Sequence, residues 1–553
     1  MQIVIPMSGF GDRFRRAGFE IPKPLIVVEE KPIIHHVVDL FPGDHDFIFI
    51  CNEDHLANPE FRMKEILEET GVRHRIAAIA PHKLGPVHAI LAVRDLLDPS
   101  SQTIVNYADF TCLWNFMDFS DYVADTNVHG AVPAYRGFHP HSGGTTNYAY
   151  IRESNYCLEE IREKQPFTSD KTQEFASTGT YYFDSAETML HYLDRQMAED
   201  INIEGEFYVS SAFELMAKDN KNVLVYEIRH FMQWGTPQDL AEYEFWSKKF
   251  RHLTSFQTPG LPIGKLQATL LLASGLGSRF FSKGYQTPKP LLRIGGQTIL
   301  EQVRKVSDKA DLCLVSSLVT SDIGDFVSSN AIGESVSFSE TSEGQADSTR
   351  LLVDHLPGQY QGPFTVLPTD TLFANERHKW PEYLVDPGKD TLTVWAYLPN
   401  YFNQGNPESF GWIGEIGDGV WSAVKTTPPN GEQWVISGAF TFSSIKLFKE
   451  LHQSLHEFGP LVNGERYLDS MVQLAIEAGV QVKIFIPSFT VSLGTPYEFE
   501  TFRYWQACFD QWESHPYALE KDIFVQPDKV ESARHELRKT LHQPNEWSLV
   551  ERH

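Results

Sequence analysis

The chain has no apolar run near the about 18 residues that a membrane-spanning helix needs, so none is expected. It also lacks any Cys-x-x-Cys pair. Its five cysteines, Cys51, Cys112, Cys157, Cys313 and Cys508, are odd in number and widely scattered. They offer neither a disulfide framework nor a cysteine zinc site, and read as reduced, mostly buried thiols in a cytoplasmic protein. Positive charge is short as well: 47 Lys and Arg stand against 73 Asp and Glu, a formal net charge of −26. That balance disfavours nucleic acid and anionic membrane as partners. Any site for an anionic ligand must therefore gather its positive charge locally. The first residues carry no basic segment, and their apolar run is only strand-length, so a secretory signal is not expected.

What the chain does have is a pattern written twice. Ser8-Gly9-Phe10-Gly11-Asp12-Arg13 is followed by Pro22-Lys23-Pro24-Leu25. Ser274-Gly275-Leu276-Gly277-Ser278-Arg279 is followed by Pro288-Lys289-Pro290-Leu291. The interval from first glycine to lysine is 14 residues in both (9 to 23, 275 to 289). Each copy follows a short apolar run, Ile3-Val4-Ile5 or Thr269-Leu270-Leu271-Leu272. Glycines let backbone N–H groups approach phosphate oxygens, while an Arg fork and a Lys point charge neutralise them. A strand, a glycine turn and two cations in this order suit a triphosphate.

The repeat continues. Val105–Phe110 matches Val366–Thr371, each an apolar run ending on an Asp. Glu163-Lys164 matches Val424-Lys425, and Thr178-Gly179 through Phe183 matches Ser437-Gly438 through Phe442. Gly205-Glu206-Phe207-Tyr208 matches Gly464–Tyr467, and Gly235-Thr236-Pro237 matches Gly494-Thr495-Pro496. The offsets fall from 266 through 261 to 259 and never reverse, as a few loop deletions would cause. A repeat this long makes each unit a whole domain. The expected division is domain one at 1–250, a linker at 251–265 marked by Thr258-Pro259-Gly260, domain two at 266–510, and a helical extension at 511–553. Apolar strand candidates (Phe47–Ile50, Thr103–Val105, Val223–Tyr226) alternate with helical stretches (Glu60–Glu69, Ser185–Met197). The expected class is α/β, with a mostly parallel sheet covered by helices on both faces and ligands beyond the carboxyl ends of its strands.

In this order the motifs resemble those of the sugar-phosphate nucleotidylyltransferases, which include glucose-1-phosphate thymidylyltransferase and the short phosphocholine cytidylyltransferases. The resemblance covers both units. It implies two tandem Rossmann-like domains of the glycosyltransferase-A-like kind that join an NTP to a small phosphorylated substrate and release pyrophosphate. It implies Mg2+ as cofactor, held by Asp109 and Asp370. Gly9, Gly11 and Arg13, with Gly275, Gly277 and Arg279, would wrap the distal phosphates, and Lys23 and Lys289 would hold the α-phosphate. Gly85 and Gly344 stand where the family reads the nucleobase. Lys164 and Lys425 would bind the acceptor's phosphate, with Glu163, Gly179 and Glu206 on the acceptor side. Surface-polysaccharide (capsule) precursor synthesis is the implied role.

Two departures stand out. Gln233 and Ser492 occupy the place of a second metal-binding Asp. Unit two also has Val424 where unit one has Glu163, and no counterpart of Asn147-Tyr148. One alternative is therefore a catalytic first domain with a regulatory or scaffold second domain. Another is a glycosyltransferase, against which stands the absence of Asp-x-Asp at either strand end. A homo-oligomer is left open. The histidines His35, His36, His82, His88, His139 and His141 read as structural, with an acceptor contact open to the last two, and Tyr181–Phe183 and Phe440–Phe442 read as core strands.

Overall fold

The computed structural model describes residues 1–540 except 127, 144–147, 256–267, 308–309, 311, 376–379, 417–418 and 429–432. Asn147 and the expected linker residues 256–265 lie outside these. The chain divides into two compact units, Met1–Glu244 with Gln511–His515, and Phe245–Asp510 with Pro516–Glu536. Residues 251–255, expected as linker, are the last turn of a helix, Pro237–Ser255, because Phe250 and Leu253 are fully buried and the Pro-Gly breakers come only later. The stretch beyond 511 is more than a helical extension. Trp512 is buried with unit one and Tyr517, Phe524 and Val525 with unit two, before the helix Val530–Thr540 begins.

Among the described residues, unit one is built on a ten-stranded sheet. From the helix-flanked edge its order is His74–Ile79, Asp46–Asn52, Gln2–Met7, Thr103–Asn106, Thr180–Phe183, Gly130–Tyr135, Val223–Glu227, Cys157–Glu163, Ala149–Ser154 and Phe175–Ser177. Unit two orders its strands as Glu334–Phe338, Leu312–Leu318, Ala268–Leu272, Phe364–Pro368, Gln433–Phe442, Thr391–Tyr397 and Gln481–Phe485. The first seven strands of unit one thus recur in unit two in the same order.

Both sheets are mixed, with parallel and antiparallel neighbours. The four strands His74–Ile79 to Thr103–Asn106 are parallel neighbours, as are Gly130–Tyr135 and Val223–Glu227, but the pairings of Thr180–Phe183 and of the hairpin Ala149–Ser154/Cys157–Glu163 are antiparallel. The alternation of strand and helix is interrupted in unit one by the hairpin Ala149–Ser154/Cys157–Glu163, for which a helix-crossover reading has no signal, and resumes where the helices Ala186–Ala198 and Ser210–Lys218 lead from Thr180–Phe183 to Val223–Glu227. Phe47-Ile48-Phe49-Ile50 is fully buried, as a parallel strand covered on both faces should be. Ile48, Val105, Phe213 and Met216 share unit one's main core, and Leu270, Val366, Phe440 and Met471 that of unit two. The helices Ala186–Ala198 and Ile445–Phe458 occupy matching places, each capped by a serine (Ser185, Ser444) whose hydroxyl accepts the backbone N–H three residues on.

Candidate functional site

Each site starts where the first strand of its unit runs out. Gly11 (φ +65°) and Gly277 (φ +62°) take the left-handed conformation and cap the five-residue helices Asp12–Arg16 and Ser278–Ser282. At Gly9 and Gly275 a Cβ would meet nothing within 4 Å, so the turn leaves open space for a ligand to approach backbone. Next, a single 3-10 turn begins at each Pro-Lys-Pro. Lys23 Nζ donates to Asp109 Oδ2 at 2.8 Å, and Lys289 Nζ to Asp370 Oδ2 at 2.6 Å. All four side chains keep between 21% and 27% exposure. A pair so exposed adds little stability. Its consequence is positional: it aims one cation and one carboxylate at the same strand end. Burial works against the Asp370 ion, but Lys289 outweighs it and holds the carboxyl below its usual range.

In unit two all the expected residues converge. Gly275, Gly277, Arg279, Lys289, Gly344, Asp370 and Lys425 line one cavity of about 750 Å3. Arg279 is exposed and has no ion-pair partner among the described residues; the same holds of Arg13, whose charge is felt by Tyr208.

The acceptor side shows how the units differ. Lys164 (φ +56°) and Lys425 (φ +49°) both sit in a left-handed conformation that non-glycine residues rarely adopt. Lys164 Nζ donates to the Tyr208 hydroxyl at 2.7 Å and lies over that ring, and Tyr208 in turn donates to Glu206. Lys425 lies over the Tyr467 ring and donates to the Ser409 carbonyl at 3.2 Å. Beside Lys164, the Glu163 carboxylate accepts from Ser210 Oγ at 2.6 Å, and burial pushes its pKa up. Unit two has lost that carboxylate to Val424 but gains another. Asp469 stands two residues after Tyr467, as Ser210 stands two after Tyr208. Burial raises Asp469 to about 6, and the Lys425 charge partly opposes the rise. The acid has moved from strand to helix. Its place is fixed by Gly411, where a Cβ would sit 2.0 Å from Asp469 Oδ2.

Gly85 (φ +84°) and Gly344 (φ +131°) are first of all packing positions. A Cβ at Gly85 would meet Phe207 O at 2.7 Å, and one at Gly344 would meet Arg466 O at 2.4 Å. The backbone pairs Phe207 N to Leu84 O (2.9 Å) and Arg466 N to Glu343 O (2.7 Å) need that approach. The segments expected to read the base are thereby tied to the Gly-Glu-x-Tyr loops. Gly179 (φ +96°) likewise fits under the Tyr107 ring, 2.9 Å from a would-be Cβ.

A carboxylate absent from Gln233 and Ser492 reappears three residues after each Thr. Asp239 Oδ2 accepts from Thr236 N at 2.8 Å, and Glu498 Oε2 from Thr495 N at 3.0 Å, closing the turn before the last long helix of each motif. Burial raises both carboxyls, and the charges of Asp109 and Asp370 add to it. A Cβ at Gly235 would lie 3.2 Å from Asp109 Oδ2, and one at Gly494 3.5 Å from Asp370 Oδ2 and 3.6 Å from Glu498 Oε2. The nearest atom to the Gly235 Cβ position is the Gln233 amide nitrogen at 2.9 Å, and the Gly494 contacts are ordinary van der Waals distances; the carboxylate oxygens beside each glycine are hard donors of the kind that suit a magnesium-like cation. Capping-type patterns hid Asp239 and Glu498 in the sequence. Of the histidines, His139 is buried and its Nε2 bonds the Phe231 carbonyl at 2.8 Å, while His141 pairs with Asp239 at 3.1 Å. His82 contacts Ser8 of the glycine turn at 3.4 Å.

Comparison with known proteins adds a family. The nucleotidyl transferase family matches residues 3–245. Mannose-1-phosphate guanyltransferase beta-B of Xenopus laevis is 26% identical over 242 residues, 43% of this chain and 62% of that protein. The mannose-1-phosphate guanylyltransferase catalytic subunit beta of Dictyostelium discoideum is 23% identical over 244 residues, again 43% and 62%. A nucleoside-diphosphate-sugar pyrophosphorylase structure from Vibrio cholerae RC9 aligns with a TM-score of 0.37 at 20% identity, over 44% of this chain and 98% of that one. The chain thus spans less than two thirds of the length of these curated relatives, which are nucleotidyltransferases. No helix among the described residues is long and apolar enough to cross a membrane. The match to the nucleotidyl transferase family is thus confined to residues 3–245, in the first half of the chain.

Proposed function

We propose that the chain is a nucleotidylyltransferase that moves NMP from an NTP to a phosphorylated small molecule, with both units built for the same kind of transfer. The observation that carries this is the Lys–Asp pair beside an open glycine turn, present at Lys23/Asp109 and Lys289/Asp370. An acceptor phosphate oxygen forms a bond to the α-phosphorus of the NTP. The bond from that phosphorus to the bridging oxygen breaks, and pyrophosphate leaves with the electron pair. No covalent intermediate on the protein is required, so alignment and neutralisation carry the catalysis.

Gly9, Gly11 and Arg13 would receive the distal phosphates, Lys23 the α-phosphate, and Lys164 the acceptor's phosphate, with Glu163 and Glu206 on its hydroxyl groups. Gly275, Gly277, Arg279, Lys289 and Lys425 repeat those roles in unit two. Asp109 and Asp370 would hold Mg2+, with Asp239 and Glu498 close by. A bound magnesium ion supplies charge neutralisation between the two polyanions. Sugar phosphates are the first acceptor class to test, with GTP and mannose 1-phosphate at the head of the panel given the relatives' names, and a role in surface-polysaccharide precursor synthesis follows from that class.

The second reading, a catalytic first unit with a regulatory second one, is favoured by the Val424/Asp469 exchange alone. The experiment is pyrophosphate release with each NTP, Mg2+ and a panel of sugar, polyol and amino-alcohol phosphates. Release with at least one acceptor is the expected result. None from the whole panel would overturn the enzymatic reading.

A further inference from the structure

Unit two carries a second cluster of ligand-type side chains behind the wall of its cleft. The helix Ile445–Phe458 places His452 and His456 four residues apart, hence on one face. The helix Gln345–Asp354 presents Asp347 in its first turn. His452 Nε2 lies 2.8 Å and His456 Nε2 2.9 Å from Asp347 Oδ1, and one ligand atom from each residue falls within 4.8 Å of the others. The second carboxylate oxygen, Oδ2, is buried without a hydrogen bond, with Arg466 Nη1 no nearer than 3.6 Å.

Unit one shows what this place holds without the cluster. Counted from the capping serines Ser185 and Ser444, His452 and His456 correspond to Leu193 and Met197. Counted from Gly85 and Gly344, Asp347 corresponds to His88. Leu193 is fully buried in unit one's core and Met197 packs against it. Apolar side chains therefore satisfy the packing at the two positions that His452 and His456 take in unit two. Two histidines and a carboxylate are a costly replacement unless something recruits them.

We propose that Asp347, His452 and His456 form a binding site for a divalent transition metal of the zinc class. Two imidazole nitrogens and one carboxylate oxygen are a donor set that suits zinc, copper or nickel, whereas magnesium and calcium favour all-oxygen sites. Three protein ligands leave a fourth position, and the half-exposed His456 opens it to solvent. The unbonded Oδ2 gives the carboxylate a second donor. Because the Asp347 helix starts at Gly344, and Gly344, Gln345 and Ser348 line the cleft, a metal here would pin one wall of the unit-two cavity to the helix behind it.

The test is zinc titration of the intact chain by calorimetry after chelator treatment, in buffer holding saturating Mg2+, with Co2+ absorption as a second readout. One zinc ion per chain is expected, with a cobalt spectrum of low-coordinate N/O type. The His456→Ala variant changes an exposed side chain and is expected to fold. It should weaken zinc by at least about a hundredfold, beyond the about 10–100-fold typical of losing an outer-shell partner. Asp347→Asn, which keeps the shape, should do the same, and His191→Ala, at an exposed helix position elsewhere, should change nothing. Absence of stoichiometric zinc, or equal affinity in the wild type and His456→Ala, would overturn the proposal.

Discussion

The two units agree where phosphate chemistry is expected and diverge where the acceptor would lie. Their glycine turns, lysines and strand-end aspartates superimpose in sequence spacing and in contacts, down to Lys–Asp distances of 2.8 and 2.6 Å. Their acceptor sides exchange acid positions: Glu163 with Ser210 in one, Val424 with Asp469 in the other. A duplicated domain can hold its nucleotide end constant and alter acceptor choice by moving one carboxylate from strand to helix. Both arrangements keep one half-buried acid beside the strained lysine.

The strongest way to break the comparison is to remove each lysine separately. Lys23→Ala and Lys289→Ala should each reduce kcat/KM for one product by about 10²–10³-fold, the scale of losing a preorganised charge-stabilising group. If Lys23→Ala alone abolishes all turnover, unit two is regulatory and the functional likeness of the two sites fails.

A second effect is structural. Gly344→Ala should destabilise the fold by about 2–4 kcal/mol, from left-handed strain plus the clash with the Arg466 backbone, read by chemical denaturation. Gly85→Ala should behave alike. A neutral result at either position would mean that the loop tie is absent in solution.

The third concerns Asp469. Its folded pKa of about 6 lies above the ordinary 3.8, so ionising it costs stability that is absent well below pH 4 and fully felt above pH 6. Stability should therefore fall as pH rises from 4 to 7. Asp469→Asn should remove the decline, recovering up to about 3 kcal/mol at neutral pH, less whatever solvent screens. A denaturation series across that range in both proteins checks the sign.

The smallest expected effect comes from Gln233→Asp. A second carboxylate beside the Asp109 cradle should tighten Mg2+ about tenfold, measured by the Mg2+ dependence of turnover. No change would place the metal away from Gly235.

The glycine turns with their Arg and Lys, the expected phosphate end, stand out in the sequence because these parts are local. A glycine turn, an Arg and a Lys within 14 residues keep their meaning wherever the fold places them. Asp469, Asp239 and Glu498 were not legible. Asp469 reaches Lys425 from a helix 44 positions away, and the other two read as ordinary helix-start acids. Gly85 and Gly344 were singled out by their place in the segments expected to read the base, whereas their close approach to a backbone over 100 residues distant shows only in the fold. The mixed sheet was missed for a similar reason. The hairpin joining Ala149–Ser154 to Cys157–Glu163 turns through Asn155 and Tyr156, both at positive φ, without the Asn-Gly signature that marks such turns. For the histidine cluster the only sequence signal was His452-x-x-x-His456, because its carboxylate lies 105 residues earlier.

The most direct test of the account is equilibrium binding of Mg2+-NTP to the intact chain and to the Lys23→Ala/Lys289→Ala double variant. The cationic-cradle account predicts saturable, Mg2+-dependent binding by the wild type and its loss in the double variant. Undiminished binding by that variant would contradict it.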